Sequence, residues 1–251
     1  MAMMLLAGCD TAHGGTRDGS GPPRQSATAS ATESSAGPAV ASSAEVAANV
    51  LTFTYRPKND YNHIDQMLEI NNSDTRSVVP VLAFTALDRQ NRPLPDVRIR
   101  TVYGSDSGRL VATYGSSFDI LRFTGTGRHQ VHDVRVTVRH LATARERANI
   151  HPVTVQPLDD AGNAVSKFSR FVAVRVKNPD PFAVSVRVAY IVYDQPAKGE
   201  TQQVVSATAV GGLVHVPAQG AVVLKVTGEA ERAVARYSDG PAVSVKAYNS
   251  Q

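Results

Sequence analysis

Residues 69–88 read EINNSDTRSVVPVLAFTALD, and residues 175–194 read RVKNPDPFAVSVRVAYIVYD. They align without a gap at an offset of 106: Asn72, Asp74, Val78, Ala83 and Asp88 recur as Asn178, Asp180, Val184, Ala189 and Asp194. A second pair, residues 110–125 (LVATYGSSFDILRFTG) and 213–228 (LVHVPAQGAVVLKVTG), aligns at an offset of 103. The same order at nearly the same offset is the mark of a duplicated unit. Inside each copy the apolar period is two: Val78, Pro80, Leu82, Phe84 and Ala86 share one face, as do Val184, Val186, Val188, Tyr190 and Val192. Alternation of this length predicts a strand, and the Asn-x-Asp step before it predicts a turn, because Asn and Asp bond to their own backbone.

Working outward, later strands are expected over 97–103, 118–124 and 134–138, then over 204–209, 221–227 and 242–248, with opening strands at 50–55 and 153–155. Thirty-four Val and no Trp suit pleated, half-buried surfaces. Short strands separated by turn signals predict a sandwich or barrel, and duplication predicts two. The fold class is therefore all-β. The domains are expected at 49–143 and 150–251, with a helical turn at the junction, residues 142–149.

Each copy resembles the FxLYD-type, immunoglobulin-like sandwiches of extracytoplasmic bacterial proteins. The pattern runs from Asn72 to Phe84-Thr85-Ala86-Leu87-Asp88 and from Asn178 to Tyr190-Ile191-Val192-Tyr193-Asp194, with Pro217-Ala218-Gln219-Gly220 as the turn before a late strand. In the first copy Tyr114-Gly115-Ser116-Ser117 stands in that place. The resemblance implies two tandem immunoglobulin-like β-sandwich domains and carries no catalytic residues.

The N-terminus carries a second resemblance. Residues 1–9 are uncharged and end on the only cysteine of the 251-residue chain. Leu6-Ala7-Gly8-Cys9 resembles the bacterial lipobox, which implies lipid on Cys9 and an extracytoplasmic protein anchored to the cell membrane. No Lys or Arg precedes Cys9, so this start is expected to be a truncated signal. Of residues 10–48, 29 are Ala, Gly, Ser, Thr or Pro, a composition expected to form a disordered tether spanning on the order of 35 Å.

Chemistry is sparse. One Cys excludes a disulfide framework or a multi-Cys zinc site. On a strand His129 and His132, three apart, would face opposite ways, so one metal could reach both only from a loop, and surface or hairpin histidines are the better reading. Asp159-Asp160-Ala161-Gly162-Asn163 lacks the alternating ligands and distal Glu of a calcium loop and reads as a β-turn. There is no Gly-x-Ser-x-Gly elbow and no phosphate loop. Asp88 and Asp194, at equivalent places in the copies, suit a repeated turn better than a catalytic pair. No cofactor, metal or enzymatic activity is expected.

The charge of +4 is spread evenly: residues 49–143 and 144–251 each contain 12 Lys+Arg and 9 Asp+Glu. No clustered basic patch points to nucleic acid. Arg98, Arg100, Arg109 and Arg122 read either as a basic stripe toward an anionic polymer or as an ordinary solvated face. The first copy is three residues longer between Asp88 and Leu110, a region rich in Tyr, Gly and Ser, the residues of adaptable recognition loops. Tyr103, Ser105, Asp106, Tyr114 and Ser116 are the candidate partner-binding residues, and two hairpin turns are the plainer reading. The expected function is that of a non-catalytic surface lipoprotein whose partner is an unknown protein or an anionic envelope polymer. The alternative is an accessory carbohydrate- or wall-polymer-binding module, against which the absence of Trp argues mildly.

Overall fold

The computed structural model describes residues 50–58, 65–145 and 148–251. Cys9, the expected leader at residues 1–9 and the expected tether at 10–48 lie outside the described residues. The first copy contains β1 (Leu51–Arg56), β2 (Met67–Asn72), β3 (Val78–Leu87), β4 (Arg98–Thr101), β5 (Gly115–Thr124) and β6 (Asp133–Thr143). The second contains β7 (Thr154–Leu158), β8 (Ala173–Lys177), β9 (Val184–Tyr193), β10 (Val204–Val216), β11 (Ala221–Lys225), the helix α1 (Gly228–Tyr237) and β12 (Val243–Asn249). The fold is all-β with antiparallel pairing throughout, as the period-two pattern requires.

The two halves pair their strands alike in part. One sheet joins the first, second and fifth strands of a copy, β1-β2-β5 and then β7-β8-β11; the other joins the third and sixth, β3-β6 and then β9-β12. The fourth strand differs. β4 pairs with β5, whereas β10 pairs with β9 in the opposite sheet. β10 is longer than its pattern predicts because it carries two register irregularities, and Gly211 (φ +72°) supplies the left-handed residue at the second.

The repeated asparagine is a buried staple in both copies. Asn72 Oδ1 accepts from the Asp74 N–H at 3.0 Å, and its Nδ2 donates to the Arg76 carbonyl at 2.9 Å and the Ala112 carbonyl at 3.4 Å. Asn178 does the same with the Asp180 N–H (3.0 Å) and the carbonyls of Phe182 (2.7 Å) and Pro217 (3.0 Å). Each amide thus closes the turn before a long strand and ties it to the chain entering the fifth strand.

Two features depart from expectation. Ala142 and Thr143 belong to β6, and Ala144 and Arg145 are not helical; Glu146 and Arg147 lie outside the described residues. The β6 pairing with β3 continues through Thr143 and holds the segment extended. The helix lies instead between β11 and β12. Ala230 and Val234, one turn apart, bury its inner face, and Glu229 and Glu231 sit favourably at its N-terminal end.

β9 organises the packing of the two copies. Val184, Val186, Val188, Tyr190 and Val192 enter a core with Val174, Val176, Val210, Val216 and α1. Ala189, Ile191 and Tyr193, on the opposite face, enter the core built by Leu68, Ile70, Leu82, Leu121 and Phe123. A strand buried on both faces reads as a continuous apolar run. Polar seams reinforce the junction: Gln66 Nε2 donates to Thr201 Oγ1 at 3.0 Å, and the Ser250 hydroxyl donates to the Arg109 carbonyl at 2.7 Å.

Candidate functional site

A groove of about 770 Å³ runs between β5 of the first copy and β12 of the second, within the usual size of ligand sites. On its floor Tyr103 stacks on Tyr248, ring centroids 4.6 Å apart and planes 24° from parallel. Its walls carry three exposed apolar side chains from different elements: Phe118 on β5, Ile150 before β7, and Phe168 before β8, with exposures of 43, 67 and 44%. Lys167, whose ammonium lies 5.0 Å from the Phe168 ring centroid, and exposed Lys246 supply positive charge. Among the described lining residues there is no carboxylate.

The floor depends on a carboxylate buried beneath it. Asp119, fully inaccessible, accepts the N–H groups of Tyr103 (2.7 Å), Ser105 (2.9 Å) and Ile120 (2.7 Å). Burial pushes its pKa up to about 6, with those same backbone donors pulling the other way. This clamp folds residues 103–105 inward, and Gly104 (φ +83°) permits the tight return: a Cβ there would stand 2.8 Å from Arg109 Cβ. Burial also raises the Tyr103 and Tyr193 phenols, keeping both neutral.

The sequence-derived candidates separate. Tyr103 is a core residue whose ring contributes to the groove floor. Ser105 is fully buried, its N–H on Asp119 and its carbonyl accepting the Leu82 N–H at 2.8 Å. Asp106 is half-buried and accepts the Thr101 hydroxyl at 2.8 Å. Tyr114 is 66% exposed and does not line the groove. Ser116 lines it, exposed, bonded to Asn71 at 2.9 Å and Glu69 at 3.1 Å. Of the five, Tyr103 and Ser116 meet at one surface. Phe118, Ile150, Lys167, Phe168 and Lys246 were missed as site residues, because nothing local joins positions from four separate segments.

The remaining clusters are structural. His129 and His132 are exposed, and no group of three possible metal ligands exists among the described residues. Asp159 caps its own turn, accepting the Asn163 N–H at 2.7 Å, and Asp88 likewise accepts the Arg92 N–H at 2.9 Å. Asp194 accepts the Gln203 N–H at 2.7 Å. Arg98, Arg100 and Arg122 share an exposed face, with Arg100 opposite Arg122, while Arg109 lies in the loop after β4. Ser185 Oγ lies 2.8 Å from His215 Nδ1, and among the described residues no carboxylate bonds that imidazole as the third member of a nucleophilic triad would. Compared with protein-family models, curated proteins and solved structures, the chain matches none.

Proposed function

We propose that this chain is a non-catalytic lipoprotein of the bacterial cell surface, anchored through Cys9 and a tether at residues 10–48, that presents two immunoglobulin-like sandwiches to a protein or envelope partner. The observation that carries the binding role is the groove: three exposed apolar side chains and two lysines converge there over a rigid aromatic floor. Apolar side chains left in water at one concave place favour association, because covering them releases ordered solvent. The repeated first-second-fifth and third-sixth pairing supports the immunoglobulin-like reading, since such sandwiches divide their strands in this way. The envelope location rests on Leu6-Ala7-Gly8-Cys9. A wall-polymer module would instead need an open aromatic platform, and Tyr103, the inner partner of the stacked pair, is only 9% exposed.

The test is intact mass of the protein recovered from the membrane fraction of its native host, beside a Cys9→Ala variant. A chain beginning at Cys9 with a diacylglyceryl-sized increment, absent from the variant, is the expected result. An unmodified chain in the cytosol overturns the anchor.

A further inference from the structure

Two strand faces bound the groove along its length. β12 lends the face that carries Ser244, Lys246 and Tyr248, and β5 the face that carries Ser116, Phe118 and Ile120. Backbone bonds fix its ends. At one, the Tyr193 N–H donates to the Ala242 carbonyl and the Asp239 N–H to the Phe168 carbonyl. At the other, the Val111 N–H donates to the Asn249 carbonyl and the Asn149 N–H to Asn249 Oδ1 at 3.4 Å. Residues 242 to 249 extend over roughly 23 Å of strand. A volume of about 770 Å³ spread along that length makes a slender groove.

Its lining has two chemistries. Phe118, Ile150 and Phe168 leave apolar area in water, whereas Lys167 and Lys246 have no ion-pair partner among the described residues. A buried phenol adds to the polar part. Tyr193 is 4% exposed, and its hydroxyl, with the Ser244 side chain beside it, completes no hydrogen bond among the described residues. A hydroxyl left in that state costs free energy that a ligand oxygen recovers.

We propose that the groove binds one molecule of a single-chain amphiphile ending in a carboxylate, of the chemical class of a fatty acid. The carboxylate pairs with Lys246 and accepts from the Ser244 and Tyr193 hydroxyls, with Lys167 adding positive charge. The alkyl chain lies along the groove and covers Phe118, Ile150 and Phe168. A planar bilayer face suits the site less well, because Ile120 and Tyr103, 2% and 9% exposed, lie too deep in the concavity to be covered by it. The proposal rests on the groove being the interaction surface and narrows the envelope partner to a free acyl chain; it is independent of lipid on Cys9.

The experiment titrates the full-length Cys9→Ala chain calorimetrically with octanoate, decanoate and dodecanoate, each kept below the concentration at which it forms micelles. One site per chain is expected, with affinity rising about two- to fourfold per methylene. Decan-1-ol and decyltrimethylammonium, which keep the chain and lose the negative head, are expected to bind roughly tenfold more weakly than decanoate. Lys246→Gln, an exposed change, is expected to weaken decanoate by roughly the same factor. Phe118→Ser, also exposed, should weaken it about threefold. Tyr193→Phe is expected to weaken it about fivefold while stability to urea is unchanged or higher, because the lost hydroxyl was unbonded in the free protein. Several weak sites, or binding that none of these variants alters, overturns the proposal as surfactant adsorption. Sedimentation on phosphatidylglycerol vesicles that Lys246→Gln abolishes, without one-to-one decanoate binding, overturns it in favour of a membrane surface. No binding at all also overturns it, and a photo-crosslinker at position 118 then decides separately whether the groove still meets a larger envelope partner.

Discussion

Protonation of Asp119 is expected to stabilise the fold, the reverse of the usual behaviour of a carboxylate. Its folded pKa of about 6 lies above the ordinary 3.8, with burial the larger cause. Between these values the folded chain holds a proton that the unfolded chain has released. Stability is therefore greatest at the acidic end of the window and falls as pH rises toward 6. Two pKa units correspond to roughly 3 kcal/mol in full, of which about 2 kcal/mol falls between pH 4.5 and 7. Glu69, Asp74, Asp88 and Asp180 have lowered pKa values, so the stability they add is present above about pH 4 and is lost below it. The two windows barely overlap. Urea unfolding at pH 4.5, 5.5, 6.5 and 7.5 for the wild type and Asp119→Asn isolates the Asp119 contribution, because every other ionisable group is common to both proteins. The asparagine oxygen can still accept from Tyr103 and Ile120, while its amide faces the Ser105 N–H. The difference between the two curves is expected to change by about 2 kcal/mol across the series. Parallel curves would show that the three N–H donors fully offset the burial and would refute the reasoning.

Three further outcomes follow from named contacts. Asn178→Ala, which removes a fully buried amide and its bonds to the Phe182 and Pro217 carbonyls, is expected to cost about 2–3 kcal/mol, and Asn72→Ala about 1–2 kcal/mol because its second bond is longer; urea titrations that reverse this order overturn the staple argument. Gly125→Ala is expected to lose roughly 2–3 kcal/mol, since φ is +97° and the new Cβ would stand 2.0 Å from the Asp96 carbonyl oxygen, whereas Gly162→Ala, at φ +82° in open space, should lose about 1 kcal/mol. Ile191→Ala, at a fully buried position of β9, should cost about 2–5 kcal/mol and lower both halves in one calorimetric transition; two separated transitions would show that β9 does not couple the cores.

Local chemistry was legible in the residues. The period-two runs at 78–86 and 184–192 became β3 and β9, the Asn-x-Asp steps became side-chain-capped turns, and Asp159 capped a turn rather than a calcium loop. Two strands, β2 and β8, escaped notice as separate elements because the repeat was read from the turn onward. α1 escaped because only two of its ten residues are buried, a stripe too narrow to stand out against its charged positions. The candidate loop residues were chosen by type, and type does not tell a recognition loop from one folded inward by a buried carboxylate: Tyr103 and Ser105 went to the core, Tyr114 to solvent.

By itself the sequence determined what acts within about ten residues: strand periodicity and turn chemistry, because side-chain alternation and Asn or Asp capping are local effects. The run 184–192 was legible as a strand with one apolar face, but not that Ala189, Ile191 and Tyr193 on the other face would be covered as well. Tertiary structure decided that. It set Ile191 and Tyr193 against the first copy, sent the fourth strands to opposite sheets, and gathered Phe118, Ile150, Phe168 and Lys246 around one groove. Such outcomes depend on surfaces distant in sequence competing for burial, and that competition is settled only when the whole chain packs.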